Sequence, residues 1–402
     1  MTVAVTSPPE FMLTVACCRW PPSDERDCAV RLAVADLSNW DRFLPVVRRH
    51  RVEGLAYAAL SAAGIEPPPP VARVLARHAH GIARHNLILA AETARLQGLF
   101  DAAVIPVLVL KGIPLALLVY KSLGQKHSKD IDLLVPPERA MQAWDLLEAQ
   151  GYRLRHPRGP LNAPRRRLVL RYAREIALAD PGSGCEVELR WRAATSPPLL
   201  AGVDAHSPYQ TVTLPNGAGL RTLNDDDLFA YLCLHGADHG WSRLKWLADL
   251  NGFLAGRDNA EVLRLLRHAE TIGAGVCAGL ALILRDRLFG IAPPPPGDGG
   301  PALRAGARLR ILTALAADIM VGPAAAIELE DRRFGTTRVA LIRFLLGGGW
   351  ANVMALGRDL SIRLDDVVRL PLPDALHFLY PILRLPLWLW RRVVGAGLRS
   401  RR

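Results

Sequence analysis

Cysteine is scarce in this chain. There are six among 402 residues (Cys17, Cys18, Cys28, Cys185, Cys233 and Cys277), and no two form a C-x-x-C pair. That excludes a disulfide scaffold and the zinc-knuckle spacings, and it points to a reducing, cytoplasmic compartment. Adjacent Cys17 and Cys18 read as small apolar residues. Long apolar runs are also missing. The longest uncharged one, Thr271 to Leu284, ends at Arg285, short of the roughly 18–20 residues that a membrane-spanning helix needs. Met1 to Trp20 lacks the basic start of a secretory signal. Acidic residues are in deficit, 38 against 50 Lys and Arg, for a net charge of +12. This excess favours anionic partners such as nucleotides, nucleic acid or an acidic membrane face. Half of the residues are hydrophobic and 22% are charged, which excludes a disordered chain and supports a sizeable core.

Periodicity divides the chain. Residues 1–23 read as an N-terminal tail and 24–104 as helical. Leu37, Trp40, Phe43, Leu44 and Val47 recur at helical spacing, and a long helix is predicted from about Val71 to Phe100. Within residues 105–222 the pattern becomes that of short strands. Ile105 to Leu110 reads as a buried strand and Lys111-Gly112 ends it. Pro114 opens a helix to about Tyr120, and Asp130 to Val135 reads as a second strand. Glu138 to Gln150 is amphipathic. The stretch from Arg153 to Arg167 is basic and proline-broken, read as partly loop, and Arg171 to Leu178 with Glu186 to Trp191 reads as a strand pair. Residues 223–292 are helical again: Asn224 is a cap with acids behind it, Leu228 to Leu254 carries one helical pattern, and a further helix is predicted from Ala260 to Phe289. Residues 293–300 form a Pro/Gly linker, and 301–402 is a further helical region.

Chemistry concentrates in three places. Asp130 and Asp132 are separated by one residue in an apolar strand, so period-two geometry puts both carboxylates on one face. Two adjacent carboxylates repel unless a cation joins them, and Mg²⁺ prefers such oxygens; a metal pair so held clamps the attacking and leaving oxygens of a phosphoryl transfer. Lys111-Gly112 precedes a helix, whose N-terminus favours phosphate. Glu188, in Val187 to Trp191, is a third carboxylate able to complete a metal site or take a proton from an attacking hydroxyl. Glu186 shares its face and is the substitute. The plain alternatives are a solvated strand end for the aspartates, an ion pair with Arg190 for Glu188, and a surface role for Lys111.

Leu110 to Gly112, Asp130 to Val135, Leu147 to Tyr152 and Val187 to Trp191, in this order, resemble a family of uncharacterised bacterial nucleotidyltransferases of the DNA polymerase β-like superfamily. The resemblance takes in Asn86 to Phe100 and extends from Leu232 to His235 through Trp246 to Asp249, roughly residues 30 to 255. It implies an α/β (α+β) fold with a small mixed sheet between helical regions, and transfer of a nucleoside monophosphate from a Mg²⁺-bound NTP to an acceptor with release of pyrophosphate. On that resemblance Gly112 is the phosphate-turn glycine, Asp130 and Asp132 the metal pair of a two-metal site, and Glu188 the third acid. Lys126 stands where the family usually has Arg, four residues before the first Asp, and with Lys111 is a nucleotide-binding candidate. Ile113 stands in place of a frequent Ser. Glu188 and Arg190 replace the more usual Asp and His. These differences motivate a rival, a catalytically inactive accessory protein in a biosynthetic pathway. The net charge motivates a second rival, an RNA-modifying transferase. The acceptor is an unidentified small molecule, peptide or protein.

Three further features have competing readings. His235 and His239 share a helix face at a zinc-compatible spacing without the glutamate of H-E-x-x-H, so packing is favoured, or a place on the acceptor side of the cleft with Asp249. The arginines from 153 to 174 lack interleaved aromatics beyond Tyr152 and Tyr172, which disfavours nucleic acid. Residues 376–402 place Phe378, Tyr380, Trp388 and Trp390 beside arginines, suited to peripheral membrane contact or to packing on the helical region.

Overall fold

The computed structural model describes residues 7–295 except 38, 159 and 160, then 306–321, 335–347 and, in pieces, 352–386. Five helices come first: α1 (Pro9–Cys17), α2 (Asp24–Ala35), α3 (Trp40–His50), α4 (Glu53–Ala62) and α5 (Pro69–Ala102). The supposed tail 1–23 therefore contains a helix, and Phe11, Leu13 and Cys17 of α1 are buried in the helical core. The core uses their apolar area, which the short sequence window did not reveal. The buried stripe of α5 (Leu75, Ala79, Ile82, Asn86, Leu89, Thr93, Leu96, Phe100) repeats every three or four residues. Its first half packs with the N-terminal helices and its second half against the sheet, so one helix joins two hydrophobic cores.

The sheet is mixed, in the order β1 (Leu108–Val109), β2 (Asp130–Leu134), β5 (Glu186–Arg190), β4 (Glu175–Ala179), β3 (Arg153–His156), with β2 and β5 parallel and the other pairings antiparallel. The expected strand from Ile105 shrinks to two residues. Pro106 has no N–H to donate, and the Ile105 N–H bonds back to Phe100 O at 2.9 Å. Helix α6 (Ile113–Tyr120) follows β1, and α7 (Ala140–Ala149) follows β2 with Trp144 fully buried under the sheet.

The strand expected from Arg171 is corrected: residues 163–172 form helix α8 (Ala163–Tyr172) and β4 starts only at Glu175. Asn162 caps α8 by accepting from the Arg165 N–H at 3.1 Å, and Pro164 sits in its first turn, where it costs no hydrogen bond. A hairpin of β6 (Tyr209–Thr213) and β7 (Gly219–Leu223) was not anticipated.

The two long C-terminal patterns each split. Residues 225–253 become α9 (Asp225–Asp238) and α10 (Leu244–Phe253), and 259–289 become α11 (Asn259–Thr271) and α12 (Gly275–Phe289). The chain turns through left-handed residues between them, Gly240 and Trp241 in one case and Gly273 in the other. Gly236 serves this turn: a Cβ there would lie 2.4 Å from the Trp241 ring. Asn224 caps α9 through the Asp227 N–H at 3.0 Å, as the acidic start predicted. Helices α9 to α12 share their core with α1, α3 and α4, and α13 (Ala307–Val321) and α14 (Gly335–Leu346) extend it. Tyr380 and Val367 pack on Leu168 of α8, while Trp388, Trp390 and linker residues 296–300 lie outside the described residues. Among the described residues no helix is long and apolar enough to cross a membrane.

Candidate active site

Strand register assembles the carboxylates. Across the parallel pair β2–β5, Asp130 faces Glu186 and Asp132 faces Glu188, while Ile131 and Val187 between them point into the core. Alternation then leaves Asp130, Asp132 and Glu188 on one face of the sheet. Glu186 is drawn aside by Lys129, 2.6 Å away. Gly112 is the N-cap of α6 with φ 77° and ψ −117°, a conformation that a side chain strains, and a Cβ there would sit 3.5 Å from the Asp130 carbonyl oxygen. Pro114 starts α6, as predicted.

Two cations lie among the carboxylates. Lys111 Nζ is 3.5 Å from Asp130 Oδ1 and in closer contact with Asp132 Oδ2. Arg190 contacts Glu188, approaches Asp132 Oδ1 at 3.3 Å and Glu175 at 2.8 Å. Glu188 is thus both an ion partner of Arg190 and a strand neighbour of Asp132.

Asp132 is fully buried, and this burial, with the Asp130 carboxylate, pushes its carboxyl up to about 7 against the pull of Lys111 and Arg190. Burial works the same way on Glu188, but there Arg190 and Lys111 outweigh it and hold the carboxyl at about 2. Lys111 stays firmly charged: its burial is overcome by Asp132 and Asp130.

A narrow cleft opens beside this face, with a free volume of about 30 Å³. Lys111 and Gly112 form one side, Lys126 to Asp130 a second, and His235, Lys245, Trp246 and Asp249 the third. The loop carrying Lys126 is held by the buried Asn86 amide, which donates to the Leu123 and Lys126 carbonyls at 2.6 Å each. Lys126 Nζ pairs with Asp249, whose other oxygen accepts from Tyr120 Oη at 3.0 Å. His235 and Asp249 thus line the cleft. His239 stacks behind on Trp246, ring centroids 4.7 Å apart. Burial, aided by neighbouring cations, keeps both histidines neutral, His239 down to about 3. Among the described residues no three His, Cys, Asp or Glu side chains stand in a metal-holding group.

Lys245 was not singled out in the sequence. It has no carboxylate at ion-pair distance among the described residues, and burial together with Lys126 and Arg51 lowers it to about 7. A signal existed. The chain has only five lysines among its 50 basic residues, and four of them (Lys111, Lys126, Lys129 and Lys245) line this cleft.

A family described as uncharacterised nucleotidyltransferase matches residues 36–290, well over half of the chain. The chain belongs to this family. No curated protein matches it. As a member of the nucleotidyltransferase family it has a transferase-type function. The matched span contains α3 to α12, the whole sheet and every residue lining the cleft.

The donor set suits a hard divalent cation. It consists of carboxylate oxygens alone, and the buried Asp132 Oδ1 accepts no hydrogen bond despite its nearness to Arg190. In the structure the Lys111 ammonium contacts both Asp130 and Asp132.

Proposed function

We propose that this protein transfers a nucleoside monophosphate from an NTP to an acceptor hydroxyl, with release of pyrophosphate. One observation carries the reading: Asp130, Asp132 and Glu188 meet on adjacent strands beside a cleft that gathers four of the five lysines. A carboxylate trio beside a lysine cluster serves a metal-bound polyphosphate, because each side supplies the charge that the other partner lacks.

The narrow cleft implies an exchange of partners. As the triphosphate enters, Lys111 leaves Asp130 and Asp132 for the β- and γ-phosphates, which would free Asp130, Asp132 and Glu188 to hold a divalent cation. Held by Asp130, Asp132 and Glu188, Mg²⁺ would supply charge neutralisation at the phosphates. Gly112 lets the backbone N–H groups at the start of α6 approach the phosphates. Lys126 and Lys245 neutralise the leaving pyrophosphate. The acceptor oxygen bonds to the α-phosphorus, the α–β bridging P–O bond breaks, and the hydroxyl proton passes to Glu188 and on to water. Glu188 is the most exposed of the three carboxylates, with 27% of its side chain accessible. Arg190 makes it a weak base, so stabilisation of developing charge carries most of the rate.

The test uses α-labelled ATP, CTP, GTP and UTP with Mg²⁺ and a lysate of acceptors. Label should pass to an acceptor with the wild type and not with Asp130→Ala/Asp132→Ala. A second reading, a nucleotide-fold binding protein without turnover, is favoured by the way Lys111 and Arg190 already neutralise the carboxylates. It predicts no transfer and no Mg²⁺-dependent NTP binding by calorimetry.

A further inference from the structure

The cleft does not end at Lys126. His127, on its wall, also lines two open hollows outside it, of about 420 and 320 Å³, and Ser128 lines the second. Arg48 borders both hollows, Arg51 and Arg243 the first, and Arg77 the second. Arg48 and Arg77 are exposed, and neither they nor Arg51 has a carboxylate at ion-pair distance among the described residues. The acid lining these hollows, Glu53, is buried and turned to His127 Nδ1 at 3.4 Å.

The link to the catalytic cleft is built in. His50 Nδ1 accepts the Leu244 N–H at 2.9 Å, and Arg243 donates to the Arg49 carbonyl at 3.1 Å. These bonds fasten the end of α3, which carries Arg48 and leads into Arg51, to the start of α10, which carries Lys245. The charge of Arg51 reaches Lys245 across that joint. A run of like charge that is not internally neutralised costs stability through repulsion, and an anion removes the cost.

From this arrangement we propose that the acceptor is a small molecule bearing an oxyanion, phosphate or carboxylate, which docks on Arg48, Arg51 and Arg77 and turns its hydroxyl into the cleft past His127 and Ser128. The inference rests on the nucleotidyl-transfer reading and adds the acceptor's chemical class. Guanidinium forks suit phosphate and carboxylate alike. Each hollow has the size of a single small ligand. Neither contains Phe, Tyr or Trp on which bases would stack, which separates this surface from a nucleic-acid groove.

The test is calorimetry on the full chain with inorganic phosphate in one arm and acetate in another, each with and without a saturating Mg²⁺ complex of an α,β-methylene NTP. At least one anion should bind with the analogue present. Arg48→Gln/Arg51→Gln should weaken that binding about tenfold or more. Arg48→Lys/Arg51→Lys should restore most of it, separating lost charge from lost fold. The proposal is overturned if the analogue abolishes binding of both anions, since they then occupy only the nucleotide cleft, or if the Gln variant binds them as well as the wild type. A single-stranded RNA 12-mer that binds with a steep salt slope through Arg48 and Arg51, while both anions fail to bind, overturns it in favour of nucleic acid. Failure of the analogue to bind counts against nucleotidyl transfer alone, because dependence of anion binding on Arg48 and Arg51 is measured without it as well.

Discussion

Two basic regions of this chain behave in opposite ways. Residues 153–174 carry eight arginines, twice the number of lysines in the cleft, and from charge density alone they would be the first place to seek an anion. At least two of the eight meet carboxylates directly. Arg166 pairs with Asp145 at 2.7 Å and Glu148 at 3.4 Å and stacks over Trp144 at 4.2 Å; Arg174 meets Glu175 at 3.3 Å. The cleft has fewer cations and three of its four lysines also meet carboxylates, but the buried Lys245 has none at ion-pair distance among the described residues. Local density therefore says little about binding. Convergence and burial decide it.

The contrast can be broken or sharpened by substitution. The largest effect is expected at the carboxylates: Asp132→Asn should lower transfer about 10²–10³-fold, as loss of a preorganised charge does, checked by single-turnover kinetics with saturating acceptor. Lys245→Met comes next and should move two readouts in opposite directions. NTP affinity should fall roughly tenfold or more by calorimetry, since hydrogen bonds to charged groups are the stronger class. Stability of the nucleotide-free protein at pH 7 should rise, with Tm up by about 2–4 °C for each kcal/mol gained. The sign follows from linkage. Lys245 titrates at about 7 when folded against an ordinary 10.5, so the unfolded chain binds the extra proton between those values and the folded state is penalised at neutral pH.

The histidine behind the cleft gives a smaller, pH-dependent effect. His239 is held at about 3 by burial and by Arg343. Below about pH 6.5 the unfolded chain takes up a proton that the folded one refuses until about 3. Its contribution is therefore fully present above pH 6.5 and is lost as pH falls. His239→Gln should flatten the fall in Tm between pH 6.5 and 4 by comparison with the wild type. The smallest functional effects belong to the other basic region. Arg166→Met should cost about 1 kcal/mol of stability through its lost stacking and ion pairs and leave NTP affinity within twofold. Arg153→Gln/Arg155→Gln should change neither by as much.

Legibility follows locality. The turn at Lys111-Gly112, the start of α6, the β2 strand and the cap of α9 were all readable, because each depends on neighbours within a few residues. From sequence, α1 reads as a tail, and Leu228 to Leu254 and Ala260 to Phe289 each read as one helical pattern. Packing supplied the missing reason: α1 is buried by α2, α3 and α4 with a smaller contact from α12, the Gly273 turn lies against the Pro198 carbonyl, and Gly236 leaves room for the Trp241 ring five residues on. Strand β4 begins late because Asn162 and Pro164 hold 163–172 as a helix, a cap signal obscured by the surrounding arginines. Lys245 was hidden for a different reason. Within α10 it is one cation in an apolar pattern, and only its rarity in an arginine-rich chain marked it.

By itself the sequence determined that Asp130 and Asp132 share a face, since alternation along a strand is a property of the backbone, and that a glycine turn and a helix start precede them. The tertiary structure decided the rest. Parallel pairing of β2 with β5 aligned Asp132 with Glu188 across 55 intervening residues and sent Glu186 to Lys129; one step of slip would have placed Val187 there instead. Packing of α10 on α3 brought Lys245 to the carboxylates and Arg51 to Lys245. Register and packing are fixed by the burial of whole faces, a global quantity that no short window of residues contains.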